Sequence, residues 1–196
     1  MAHIEKIIQD FMPQGDYSIV GINSSLVVDY LLAAMADHYA SMNKSVLVLS
    51  GSCDRVKDLI ARRIGGKFHL DHDQKQAIFL NMHINNYYET HVDSYIDHCY
   101  NMRPDVVLIN TGVKNFDHIE VFDNLARIYF NNPQTTLVNL FISRELNPHD
   151  HIYKTARNRT IVTRNEDEIY LRTTDESKIA FYYYRSGDWP YTQDSI

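Results

Sequence analysis

Residues 106–109, Val-Val-Leu-Ile, lie between Pro104-Asp105 and Asn110-Thr111-Gly112. Three of the four are β-branched. A short continuous apolar run bounded by turn residues predicts a strand buried on both faces. Strands of that kind occupy the centre of parallel sheets, where helices cover both sides. Parallel neighbours need crossover connections, so the flanking chain has to supply helices, and α/β is the predicted class.

The flanking segments do supply them. Ile4, Ile7, Ile8 and Phe11 recur at helical spacing and Pro13-Gln14-Gly15 ends that pattern. Residues 17–21 read as a short apolar strand. Asn23 or Ser24 then suits the N-cap of a helix over 26–40 that is apolar nearly all round, the mark of a buried helix. Residues 45–49 read as a second strand, followed by a Ser50-Gly51-Ser52 turn and an amphipathic helix over 54–64 that Gly65-Gly66 ends. Residues 67–75 read as a polar, His-rich loop and 77–84 as a third strand. A long helix is expected over 86–102, with Tyr88, Val92, Tyr95, Ile96, Cys99 and Met102 on one stripe. Beyond the central strand, a helix over 119–129 and a strand over 136–142 follow. Residues 159–163, 168–172 and 178–184 alternate between polar turns, which predicts an antiparallel meander at the sheet edge. The expected organisation is one domain over 1–185 and a flexible tail over 186–196.

Length and charge narrow the function classes. A chain of 196 residues suits a single domain. Its net charge of −6 argues against coating nucleic acid unaided, because phosphate binding needs a basic field. Cys53 and Cys99 have no metal-site spacing and are expected to be free, buried thiols in a reducing compartment. The first residues lack a basic segment leading into an apolar one, and no run of about 20 apolar residues exists, so no membrane partner is expected. The 14 Tyr suit an interface and a Tyr-rich core edge equally well.

Strand, polar turn and buried helix over 17–40 have the layout of a phosphate-binding loop. The chemistry is missing. That stretch has one glycine, Gly21, then Ser24 and Ser25, and no lysine follows them until Lys44. A strand such as 106–109 in a nucleotide-hydrolysing domain ends in an Asp that holds a metal-bound water. Here the residue is Asn110, whose amide lacks the negative charge a magnesium ion wants. Ser24 and Ser25 read as caps, since no nucleophile elbow surrounds them. His69, His72, His149 and His151 read as solvated loop residues rather than metal ligands. Lys154, Arg157, Arg159, Arg164, Arg172 and Arg185 gather in the last third, but interspersed acids favour a solvated face over a phosphate-contacting patch. No catalytic residue, metal or cofactor is expected.

Residues 46–55, Val-Leu-Val-Leu-Ser-Gly-Ser-Cys-Asp-Arg, resemble the strand and Thr-Glu-Gly-Thr-Phe-Arg turn of the RecA-type recombinases. Residues 84–102 resemble that family's segment leading into its Walker B strand, and 160–184 its terminal meander. Over about 16–184 the element order is similar to the ATPase core of the eukaryotic recombinase and its paralogues. The resemblance implies a RecA-like three-layer core with a mostly parallel central sheet and a C-terminal antiparallel meander. It makes Gly21, Ser24, Ser25, Gly51 and Asn110 degenerate nucleotide-site positions. The Walker A Lys-Thr has no counterpart, the catalytic Glu falls on Gly51, and the Walker B Asp falls on Asn110. The family's N-terminal DNA-binding domain and Phe-x-x-Ala tether have no counterpart either, and the DNA-contacting loops, at 114–118 and 145–154, are short.

What the resemblance then implies is a non-catalytic adaptor. It would pair as a heterodimer with a recombinase paralogue and promote or remodel recombinase filaments on single-stranded DNA. Its own DNA contact would be weak or indirect, and its location nuclear with a cytoplasmic pool. The implied partner interface is Ser50, Ser52, Asp54, Asn110, Thr111, Lys114 and Arg144. The alternative is a Rossmann-like or flavodoxin-like enzyme whose crevice is lined by Gly21, Ser50-Gly51-Ser52 and Asn110-Thr111-Gly112. The absence of a matched acid–base pair at those strand ends favours the adaptor.

Overall fold

A computed structural model of the protein describes residues 16–22, 25–86, 92–113, 134–143, 158–165, 168–175 and 178–185. The central run is where its composition demands. Val106, Val107, Leu108 and Ile109 are all buried in the strand β4 (Val106–Val113), which pairs in parallel with β2 (Val46–Ser50) on one side and β5 (Thr136–Ser143) on the other. β3 (Met82–Asn86) pairs in parallel outside β2. β1 (Asp16–Ile22) lies in parallel between β5 and β6 (Asn158–Asn165). β7 (Glu168–Asp175) and β8 (Lys178–Arg185) pair antiparallel beyond β6, giving the order β3-β2-β4-β5-β1-β6-β7-β8.

Direction of travel decides which face each helix covers. α1 (Ser25–Ser41) connects β1 to β2, while α2 (Cys53–Gly65) and α3 (His72–Leu80) connect β2 to β3. Both connections move the chain the same way across the sheet, and right-handed crossovers moving one way share a face. The step from β3 back to β4 runs the other way, so α4 (Val92–Met102) falls on the opposite face. Side chains agree with this. Val46, Val48, Val106, Leu108, Val138 and Leu140 join the cluster formed with α1, α2 and α3. The alternate residues Leu47, Leu49, Val107 and Ile109 are buried but outside that cluster. His83, on their side of β3, meets His98 of α4 with ring centroids 6.4 Å apart. The protein is therefore α/β, with a parallel sheet between helices.

α1 is buried nearly all round, as its sequence predicts, and α2 buries only the stripe Cys53, Val56, Ile60 and Ile64. The two helices run parallel and are tied at both ends. Asp29 faces Arg55 at one end and Asp37 faces Arg63 at the other. Each acid lies 26 positions before its partner.

Three expected boundaries are corrected. Residues 67–75 are not all loop and 77–84 are not all strand, because α3 occupies His72–Leu80. Asp71 caps it: its Oδ1 accepts from the Gln74 backbone N–H at 2.8 Å, and Gln74 Oε1 accepts from the Asp71 N–H at 3.0 Å. The apolar run at 77–80 imitates a strand, yet only Ile78 of the four is buried. Asn86 ends β3 rather than starting a helix, and the described part of α4 begins at Val92. The helices expected over 4–11 and 119–129, and the tail over 186–196, lie outside the described residues.

Candidate functional site

The carboxyl ends of β2 and β4 lie side by side, with Ser50 opposite Asn110. Both side chains point to the face that α1 covers, because they continue the alternation of Val48 and Leu108. α1 places Asp29, in its second turn, against them. Asn110 donates its side-chain Nδ2 to Asp29 Oδ1 at 2.8 Å, and the Ser52 hydroxyl donates to the same oxygen at 2.7 Å. Arg55 Nε stands 3.6 Å from the other oxygen, Oδ2. The Ser50 and Ser52 hydroxyls are 3.1 Å apart, and Ser50 Oγ accepts from the Ser52 backbone N–H at 3.1 Å. The Gly51 N–H donates to the Asn110 carbonyl at 3.4 Å, so the turn is sewn to the end of β4.

Asp29 is 2% exposed. Burial pushes its carboxyl above the usual range, while the Ser52 hydroxyl, the Arg55 guanidinium and the Asn110 amide pull it back down. Ser52 is the N-cap residue of α2, but its hydroxyl makes no capping bond and serves Asp29 instead. Asp29 accepts two hydrogen bonds at Oδ1, faces the Arg55 guanidinium at Oδ2 and has almost no surface, so it organises the strand ends.

Of the expected positions, Ser50, Ser52 and Asn110 come together around Asp29, and Gly51 and Asp54 are exposed beside them. A Cβ added at Gly51 would meet nothing within 4 Å, so that position opens outward. Gly21 lies near the end of β1, separated from β4 by β5, and Ser25 begins α1. Thr111 continues β4 past Asn110. Ser24, Lys114 and Arg144 lie outside the described residues. Sequence reasoning missed Asp29 and Arg55. A signal was present: Asp29 and Asp37 are the acids within a helix that otherwise reads as buried, and a buried carboxylate needs partners. Among the described residues, no three His, Cys, Asp or Glu side chains gather in a way that would hold a metal ion.

No protein-family model and no curated protein matches the chain.

Proposed function

We propose that the protein is a non-catalytic adaptor of the recombinase-paralogue type, a RecA-like core whose nucleotide site has become a docking surface. The observation that carries this is the Asn110–Asp29 hydrogen bond. At the end of the central strand, where hydrolysis needs a carboxylate to hold magnesium, the fold has an amide, and that amide is committed to a neighbouring side chain. The parallel order β2-β4-β5-β1-β6 and the antiparallel pairing of β7 and β8 support the RecA-like reading of the fold.

Protomers of that family stack with the nucleotide site of one against the face of the next. A site closed by its own hydrogen bonds keeps its shape without nucleotide, so it can persist as a surface. Ser50 and Asn110, expected in that interface, are buried and can only support it from beneath. Gly51, Ser52, Asp54 and Thr111 would form it, with Lys114 and Arg144, which directly follow β4 and β5 in the sequence. The partner is another recombinase paralogue, and the role is promotion or remodelling of the recombinase filament on single-stranded DNA. DNA contact by the chain alone is weak, in keeping with its net charge of −6.

Co-purification with recombinase paralogues tests this. Wild type should retain a paralogue, while Asp54→Lys and Lys114→Glu should lose it with melting curves unchanged, because charge reversal in a packed interface costs affinity. If wild type retains no paralogue, the adaptor is wrong and the crevice enzyme moves ahead.

A further inference from the structure

At the other end of α1 and α2 from Asp29, a cleft of about 560 Å³ opens between their carboxyl ends and α3. Asp37, buried to 2% exposure, lines it together with Arg63 and Lys67. Lys67 Nζ lies 2.7 Å from Asp37 Oδ1 and Arg63 Nε 3.3 Å from Oδ2. Lys67 also donates to the Ser41 hydroxyl at 2.8 Å, and Arg63 to the Tyr30 hydroxyl at 2.8 Å. A guanidinium has five N–H donors and an ammonium three. The described bonds use two of each, and two cations face one carboxylate, so the cleft keeps donors and one positive charge to offer.

Exposed apolar side chains stand in it and next to its lining residues in the sequence. Met42 lines the cleft and is half-exposed. Phe68, between the lining residues Lys67 and His69, is 91% exposed. Leu80, next to the lining residue Asn81, is 72% exposed, and Phe79 is also exposed. Single exposed apolar side chains are ordinary, but several grouped at the rim of a groove are the kind of surface that another molecule covers.

We propose that this cleft is a docking groove for a short peptide segment of a partner protein, one carboxylate side chain flanked by large apolar ones. The carboxylate takes the remaining donors of Arg63 and Lys67, and the apolar neighbours cover Phe68, Met42 and Leu80. Charge sets the limit on what fits. The surplus is a single charge, and the helix carboxyl ends nearby carry partial negative charge, so a polyanion such as nucleic acid is disfavoured. A free small carboxylate would satisfy the cations but leave the apolar rim in water. The groove is distinct from the strand-end surface, since the eight residues from Asp29 to Asp37 separate the two by about 12 Å of helix. It does not rest on the recombinase reading.

Random peptides displayed on phage, panned against the full chain, provide the probe. Selected peptides should carry one Asp or Glu beside Phe, Leu, Met or Trp. Their affinity, read by fluorescence polarisation, should fall about tenfold or more in Phe68→Ser, in Leu80→Ser and in Lys67→Gln, and when the peptide's own acid is changed to its amide. Phe68 and Leu80 are exposed, so their variants should melt with wild type even if Lys67→Gln does not. Asp54→Lys, at the far end, should bind the peptide normally. Selection without acidic bias, or binding indifferent to both Phe68→Ser and Leu80→Ser, overturns the proposal. So does acetate competing as well as the peptide, which would make the site one for small anions. Self-association abolished by Phe68→Ser, with no peptide bound, would overturn it in favour of a second copy.

Discussion

Asn110 donates its side-chain amide to Asp29 across 2.8 Å of buried space, so the end of the central strand supplies a hydrogen bond to a carboxylate instead of adding a second one. The helix after the first strand thus brings its own negative charge to the strand ends. That charge is shared among an amide, a hydroxyl and a guanidinium. A second carboxylate at 110 would have to sit within hydrogen-bonding distance of the first.

Asn110→Asp should therefore fold poorly at neutral pH and recover on mild acidification. Two carboxylates sharing one buried site raise the pKa of the pair in the folded state. The folded state then binds more protons than the unfolded one, so stability falls as pH rises from the ordinary Asp value of 3.8 through the raised folded values. The cost at neutral pH should be about 3–5 kcal/mol, the size expected for an uncompensated buried charge. Urea unfolding at mildly acidic and at neutral pH reads it. A variant as stable as wild type at both would show that Asp29 and Asn110 are not held together.

Asp29→Asn and Asp29→Ala should part company. Asparagine keeps an oxygen for Ser52 and Asn110 and removes the buried charge, so the variant should match or exceed wild type at neutral pH. Alanine strands both donors and should cost about 1–3 kcal/mol for each one left unpaired. The sign for wild type follows from the raised carboxyl. Asp29 makes the protein less stable as pH rises from 3.8 to its folded value, and Asp29→Asn should abolish that part of the slope. Equal loss in the two variants would mean the charge, not the hydrogen bonds, holds the strand ends.

His38, half-buried in the lining of the cleft between α3 and the carboxyl ends of α1 and α2, should contribute in the opposite direction. Burial pushes its imidazole below the usual 6.5, as do the cations of Lys67 and Arg63, against the pull of Asp37. The unfolded chain binds its proton first, so stability is present above 6.5 and is lost as pH falls toward the folded value. His38→Gln should flatten that part of the stability profile. An unchanged slope would place the titration elsewhere.

The two thiols should be inert until the protein opens. Cys53 and Cys99 are buried and form no disulfide with each other, and burial pushes the Cys99 thiol up to about 12. The thiolate is the reactive form. Maleimide labelling in native buffer should be slow for Cys99 and rise with unfolding, tracked by mass. Rapid native labelling would mean that α4 opens readily.

The strands were legible where burial wrote a continuous apolar run, as at 106–109, because a doubly covered strand admits almost nothing else. α2 was legible because its stripe repeats at helical spacing and a Gly65-Gly66 pair ends it. α3 was not, since Ala77-Ile78-Phe79-Leu80 carries the composition of a strand while its capping box, Asp71 and Gln74, lies in a stretch that reads as loop. At the strand ends, Ser50, Ser52 and Asn110 were visible as polar residues after apolar runs. Asp29 was not, because its partners stand 23 and 81 positions away and no local pattern joins them. The cleft at the carboxyl ends of α1 and α2 was hidden for the same reason, being built from those two ends and the side of α3.

The parallel pairing of α1 and α2 has a mechanical meaning. Asp29 with Arg55 and Asp37 with Arg63 share one offset, so neither helix can slide by a turn without breaking both pairs at once. Transmission between sites requires an element with two arrangements to choose between. A helix pair pinned at both ends has one. Molecules bound at its two ends would therefore be indifferent to each other, their free energies adding without cross-talk. If both proposed surfaces are occupied, a chain built this way would act as a spacer, keeping two companions at a fixed separation and passing nothing from one to the other.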